Sequence, residues 1–222
     1  MSLWIKICGN TSLEDALLAA DAGADAVGFV FAPSPRQVSA DQVAMIIAQL
    51  PSSIEKIGVF VDAGFKEVEA AVSASGLTGV QLHFDDAAEL AARLRERFGP
   101  GLRILRVLHF GPDLGKRAGV AAKDKSIDGI LIDSRTATAV GGTGIPFDWE
   151  AAESLFHSAG MRLVVAGGLT PLNVAEAVQK LQPWGVDVVS GVEAAPGRKD
   201  PKKVRAFVDT IRGMYPPCPP YL

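Results

Sequence analysis

Cys8 closes the β-rich run WIKIC at 4–8. If that run is a strand, alternation places Trp4, Lys6 and Cys8 on one face and Ile5 and Ile7 on the other. An ammonium two residues below a thiol favours the thiolate, the form that a general base or nucleophile requires. The competing reading is a buried cysteine serving as a small hydrophobe. Asp133 closes GILID at 129–133 in the same manner, sharing a face with Gly129 and Leu131. A carboxylate ending an apolar run needs a partner or a task, because burying it unpaired is costly. It could cap the next loop, pair with Arg135 or donate a proton. A base at one strand end and an acid at another are the equipment for proton relocation.

Other residues suggest what is bound. Arg36 lies in a loop braced by Pro33 and Pro35, which limits backbone freedom before a guanidinium fork suited to carboxylate or phosphate. A solvated surface arginine is the alternative. Gly167-Gly168, Ser190-Gly191 and GGTG at 141–144 supply places where backbone N–H groups can approach an anion closely. His83 ends a run and reads first as a satisfied rim histidine, second as a ligand contact; His109 and His157 rank below it. HExxH and CxxC are both missing, so no metal is expected.

These residues need a frame, and the chain supplies a repeating one. Short β-rich runs stand at 4–8, 26–31, 56–61, 79–83, 103–108, 129–133, 162–167 and 186–190. Alanine-rich amphipathic stretches separate them, opened by Ser12 and Ser39 as caps and stopped at Gly23 and Pro51. The fifth helix, around 111–124, is weak because glycines interrupt it. Eight alternations with continuously apolar strands predict α/β structure: a single (β/α)8 TIM barrel with a closed parallel sheet. A doubly wound open sheet is the alternative, but the first loop lacks its Gly-x-Gly-x-x-Gly fingerprint. In a barrel the strand ends gather on one face, so Cys8, Arg36, His83, Asp133, Gly167, Gly168, Ser190 and Gly191 would meet there, with the loops after strands 7 and 8 as the phosphate site. Asp25, Asp128 and Asp187 follow an internal echo, each leading into a strand, and are expected on the opposite, stabilising face.

Length and composition agree. The barrel is expected over residues 1–215, and the proline-rich tail 216–222 outside it, where Cys218 is a poor catalytic candidate. A chain of 222 residues with 48% apolar and 21% charged residues can fill one large core. A net charge of −3 gives no support for nucleic-acid binding, and no apolar run is long enough for a membrane span. Two distant cysteines and no signal-like N-terminus suggest a reducing, cytoplasmic setting.

Taken in order, several blocks resemble one family, phosphoribosylanthranilate isomerase of tryptophan biosynthesis. They are Lys6-Ile7-Cys8-Gly9 with Thr11, Ala26 to Phe31 running into Ser34-Pro35-Arg36-Gln37-Val38, Gly58 to Val61, and Val80-Gln81-Leu82-His83. They continue with Leu131-Ile132-Asp133-Ser134, Gly141 to Gly144 with Phe147-Asp148-Trp149, Ala166 to Pro171 with Asn173, and Asp187 to Glu193 with Pro196-Gly197, Lys199-Asp200 and Lys203. The resemblance implies a (β/α)8 barrel without cofactor or metal that performs an Amadori rearrangement on a small phosphorylated substrate. It implies Cys8 as general base, Asp133 as general acid, Arg36 opposite the anthranilate carboxylate, and Gly167, Gly168, Ser190 and Gly191 around the phosphate. Members occur as monomers, dimers and fused domains, so monomer and homodimer both stay open. Phe84 departs from the glycine usual after the Gln-Leu-His block. Rivals are a ribulose-phosphate epimerase, the histidine-pathway isomerase with aspartates where Cys8 and His109 stand, and a silent barrel serving as a scaffold.

Overall fold

Helices α1, α2, α6 and α8 begin where a side chain, Ser12, Ser39, Asp148 or Asp200, satisfies their first N–H groups, and each strand runs where apolar residues can be covered on both faces. The computed structural model describes residues 3–84, 87–134, 148–158 and 160–215. Its barrel strands are β1 Trp4–Ile7, β2 Ala26–Val30, β3 Glu55–Val61, β4 Gly79–His83, β5 Arg103–His109, β6 Gly129–Asp133, β7 Leu163–Ala166 and β8 Gly185–Val188. The helices between and after them are α1 Leu13–Asp21, α2 Ala40–Ile47, α3 Phe65–Ser75, α4 Ala88–Phe98, α5 Leu114–Ala121, α6 Trp149–Ser158, α7 Val174–Leu181 and α8 Pro201–Met214. All eight strands form a closed parallel barrel, with β1 pairing to both β2 and β8. The expected strands lie within two residues of the observed ones.

The Ser12 hydroxyl accepts from the Asp15 N–H at the start of α1, and Ser39 with Gln42 forms a reciprocal capping box on α2. Helix α2 stops at Ile47, short of the expected Pro51. Helix α5 forms despite Gly115 and Gly119, because Leu114, Ala118 and Ala121 bury against the barrel, and packing outweighs propensity. Beyond β8 the chain adds an antiparallel pair that the sequence did not announce, β9 Glu193–Ala195 and β10 Arg198–Lys199.

Alternation sorts the strands as expected. Ile5, Ile7, Ile130 and Ile132 pack outward under the helices, while Trp4, Ala26, Ile57, Leu105, Val107, Leu131, Val164 and Ala166 form a separate inner cluster. At the strand beginnings Asp25 accepts the Ile5 N–H at 2.8 Å and Arg212 at 2.7 Å; Asp128 accepts the Ile104 N–H and Arg95, both at 2.7 Å. Asp187 corrects the expected echo. It is the third residue of β8, faces inward and is buried, with Lys6 as its register neighbour. The floor is closed by Trp4 stacked on Trp184 at 5.1 Å between ring centres, with the guanidinium groups of Arg103 and Arg162 over Trp184 at 5.3 and 5.0 Å. Arg135, the GGTG segment 141–144, Phe147 and the tail 216–222 with Cys218 lie outside the described residues. Among the described residues no helix is long and apolar enough to cross a membrane, and no group of three His, Cys, Asp or Glu side chains is arranged to hold a metal.

Candidate active site

Cys8 stands one residue past β1, 3% exposed, its N–H donating to the Val188 carbonyl at 2.9 Å. Its Sγ lies against Gly28 on β2, where any Cβ would overlap the sulfur. Below it Lys6 is fully buried and reaches two partners: Nζ donates to Asp187 Oδ1 at 2.8 Å and to Gln81 Oε1 at 2.9 Å. Gln81 Nε2 in turn lies 2.8 Å from His83 Nε2 at the end of β4. A polar line thus crosses the barrel from β8 through β1 to β4. The His83 and His109 rings face each other at 6.1 Å between centres.

This line modifies the expected effect of Lys6 on the thiol. Burial pushes the Cys8 thiol up, and the Asp187 carboxylate pushes the same way. The ammonium of Lys6, by charge and hydrogen bond, and that of Lys199 pull it down without reversing the result. Lys6 favours thiolate as expected, but burial outweighs it and the thiol pKa stands above its ordinary value. Burial works against the charge on Lys6 too, yet Asp187 and Cys8 outweigh it and its pKa is raised, so Lys6 is a fixed cation.

Asp133 is the last residue of β6, 3% exposed, beside His109 of β5 and Ala166 of β7 in the sheet register. Its carbonyl accepts the Phe110 N–H at 2.9 Å. Gly167 passes so close that a Cβ there would press on Ser134 and, at 2.7 Å, on Asp133 Oδ1; its φ of 82° suits glycine as well. Strand β6 is separated from β1 by β7 and β8 on one side and by four strands on the other, so Cys8 and Asp133 face one mouth from well-separated sides.

Arg36, in the loop between β2 and α2, is not a solvated surface residue. Its Nε and Nη2 donate to Glu193 Oε1 and Oε2 at 2.8 and 2.6 Å, a bidentate pair whose side chains are 16% and 4% exposed. Burial raises the Glu193 carboxyl, but the Arg36 hydrogen bonds, the charges of Lys199 and Arg36 and the Gly197 N–H together hold it below the ordinary value. Gly168 has a φ of 65°, and Asn173 fixes the loop after β7 by accepting the Thr170 N–H at 2.7 Å and donating to the Gly168 carbonyl at 2.9 Å. Ser190 and Gly191 lie in a 3-10 turn directly after β8, with Gly191 against the Leu169 carbonyl, so the loops after β7 and β8 touch. His157 is exposed on α6, far in sequence and role from this ring.

The structure therefore gathers Cys8, Asp133, Arg36, His83, Gly167, Gly168, Ser190 and Gly191 at the carboxyl ends of the strands. Residue-by-residue reading missed Gln81, Asp187, Glu193 and Lys199. A signal for the first two was present: each is polar at an inward position of an otherwise apolar strand, the same property that singled out Cys8 and Asp133. A thiol, a carboxyl and a fixed guanidinium beside two glycine-bearing loops can relocate a proton on a ligand held at both ends.

Comparison with known proteins gives this arrangement a setting. The pattern of the N-(5'-phosphoribosyl)anthranilate (PRA) isomerase family matches residues 5–210. The N-(5'-phosphoribosyl)anthranilate isomerase of Pelobacter propionicus is 45% identical over 205 residues, 92% of this chain and 93% of that protein. That of Rubrobacter xylanophilus is 43% identical over 209 residues, 94% and 98% of the two chains. Among solved structures, phosphoribosyl anthranilate isomerase from Thermotoga maritima superposes with a TM-score of 0.84 at 35% identity, covering 95% of this chain and 99% of that one. A phosphoribosyl anthranilate isomerase in complex with reduced 1-(o-carboxyphenylamino)-1-deoxyribulose 5-phosphate superposes with a TM-score of 0.81 at 33% identity over the same shares.

Proposed function

The chain belongs to the N-(5'-phosphoribosyl)anthranilate isomerase family, and on that premise we propose that Cys8 and Asp133 are the base and acid of the Amadori rearrangement of N-(5'-phosphoribosyl)anthranilate in tryptophan biosynthesis. The product is 1-(o-carboxyphenylamino)-1-deoxyribulose 5-phosphate. Asp133 protonates the ribose ring oxygen while the anthranilate nitrogen pushes its electron pair in; the C1–O bond breaks and an iminium forms. Cys8, as thiolate, removes the C2 proton, made acidic by that iminium. The resulting enolamine tautomerises to the ketone. The substrate's own nitrogen is the electron sink, so the chemistry calls for no cofactor.

Arg36 faces the anthranilate carboxylate, and the N–H groups around Gly167, Gly168, Ser190 and Gly191 take the phosphate, which fixes C2 near the sulfur. His83 contacts the ligand from the rim. The observation that carries these roles is the pair of buried thiol and carboxyl side chains, Cys8 and Asp133, at the ends of β1 and β6 on one mouth. The catalytic unit is the barrel of residues 1–215, the tail 216–222 taking no part, and a base that must remain a thiol fits a reducing, cytoplasmic compartment.

The test is loss of anthranilate-type fluorescence when purified protein meets freshly made phosphoribosylanthranilate. Rapid loss with the natural chain and none with Cys8→Ser or Asp133→Asn supports the assignment. Turnover by Cys8→Ser near that of the natural chain removes Cys8 as base, and the same result for Asp133→Asn transfers the acid to another group.

A further inference from the structure

The segment from Glu193 to Lys203 forms no part of the barrel wall, contributes neither the acid nor the base, and yet carries two of the buried charged residues of the molecule, Glu193 and Lys199. We infer that Glu193 is a positioning residue that, through Arg36, makes the site select a substrate bearing an aryl carboxylate. The inference rests on the proposal that Arg36 faces that carboxylate.

A guanidinium is planar and rigid, so two hydrogen bonds from its Nε and Nη2 edge fix the direction of the remaining N–H groups. Glu193 makes those two bonds, at 2.8 and 2.6 Å, from a side chain only 4% exposed. Glu193 is itself held on several sides. Its Oε1 accepts the Gly197 N–H at 3.2 Å, and its carbonyl accepts Lys203 Nζ at 2.8 Å. Thr11 Oγ1 then ties the Gly197 carbonyl at 2.6 Å, joining the β9–β10 hairpin to the segment that follows Cys8. At its other end the Arg36 stem lies on Gly9, where a Cβ would come within 2.8 Å of Cδ. The guanidinium direction and its distance from the base at Cys8 are thus set by one connected frame.

An anion beside a carboxylate-binding group would ordinarily repel the ligand. Here Lys199, fully buried, places Nζ 3.4 Å from Glu193 Oε1 and donates to the Cys8 carbonyl at 2.5 Å. Asp15 takes the Lys199 backbone N–H and leaves the ammonium to Glu193. Arg36 and Lys199 both lie against Glu193, so its charge is paired on two sides within the protein. Burial lowers the Lys199 pKa, with the Glu193 charge and hydrogen bond opposing that shift. Glu193 therefore fixes the fork while its own charge is taken up by two neighbours.

The test compares phosphoribosylanthranilate with phosphoribosylaniline, which lacks the carboxylate, and reads the ratio of their kcat/KM values. Arg36→Met establishes how much of the ratio the guanidinium supplies. Glu193→Gln is expected to lower kcat/KM for the carboxylated substrate about ten- to a hundredfold, mainly through KM, the size that losing charge-assisted hydrogen bonds implies. The aniline adduct should change by no more than about twofold, since both proton-transfer groups are untouched. Should Glu193→Gln fold poorly, Glu193→Asp keeps the charge but shortens the reach, and should give an intermediate loss of the same ratio. Thr11→Val loosens the hairpin that carries Glu193 without removing the ion pair, and should lower the ratio by clearly less than Glu193→Gln does.

If Arg36→Met collapses the ratio and Glu193→Gln with Glu193→Asp leaves it intact, Glu193 does not position the fork and the inference falls. An equal collapse in Thr11→Val would also overturn it, assigning the effect to hairpin packing. A ratio unchanged by Arg36→Met would instead defeat the carboxylate role of Arg36, and the inference with it.

Discussion

The mouth and the floor of this barrel use the same residue types to opposite ends. At the floor Asp25 and Asp128 each accept a backbone N–H from the preceding strand and an arginine from a helix, and both are partly open to water. Higher in the barrel Asp187 and Asp133 are at most 5% exposed. Asp187 binds a lysine that itself reaches to β4, so it joins distant strands, whereas Asp25 and Asp128 join neighbours. Local, partly solvated pairs can be removed one at a time at modest cost. Buried charges sharing partners cannot, because each loss leaves another charge unpaired in a medium that solvates it poorly. A parallel barrel can thus keep its stability at one end while the other holds groups selected for reactivity.

The sharpest contrast is expected at the mouth itself. Cys8→Ser and Asp133→Asn should each cut kcat by about a hundred- to ten-thousandfold, the range for general acid–base groups. Thermal unfolding should be nearly unchanged, since each substitution is nearly isosteric. A large loss of stability with either would mean that the mouth carries the fold as well as the chemistry.

Midway down the barrel, stability should respond most. Lys6→Met strands the Asp187 carboxylate and should cost about 3–5 kcal/mol in denaturant unfolding. The double variant Lys6→Met/Asp187→Leu should recover most of that loss. It should not recover activity, because the cation that draws the Cys8 thiol downward is gone.

The same ammonium gives a pH signature. Activity needs the thiolate, and burial raises the Cys8 thiol in the free enzyme, so kcat/KM should climb with pH along a limb lying above the ordinary thiol range. Removing Lys6 should move that limb to still higher pH. A limb unmoved in Lys6→Met, where the opposing Asp187 carboxylate remains, would mean that another group titrates.

The smallest change belongs to the floor. Asp128→Asn weakens one partly solvated arginine contact and should cost about 1 kcal/mol. Its kcat should match that of the natural chain, and a fall would show that the two ends communicate.

Much of this was legible from alternation. Once eight apolar runs are placed side by side, parity alone puts Ile5 and Ile7 under helices and Lys6 and Cys8 inside, and it gives Asp133 the same direction. The capping residues Ser12 and Ser39 were readable because the N-cap rule is local. Asp187 was misread because a repeated Asp-apolar pattern says nothing about register: Asp25 and Asp128 stop outside their strands, and β8 begins two residues before Asp187. The Arg36–Glu193 pair spans 157 residues and depends on a hairpin with no periodic pattern, so no spacing in the sequence could have exposed it. The net direction of the Cys8 shift was hidden for a related reason: neighbours can be counted along a strand, but burial follows from the whole closed barrel.

The stack of Trp4 on Trp184 has a use of its own. Trp4 opens the first barrel strand and Trp184 immediately precedes the last, so the two indoles meet only when the ends of the sheet join. Their coupled emission and near-ultraviolet dichroism would therefore mark the final seam in refolding, separately from helix formation. With the pair at the floor, that optical record of ring closure can be taken at the end of the molecule away from the mouth.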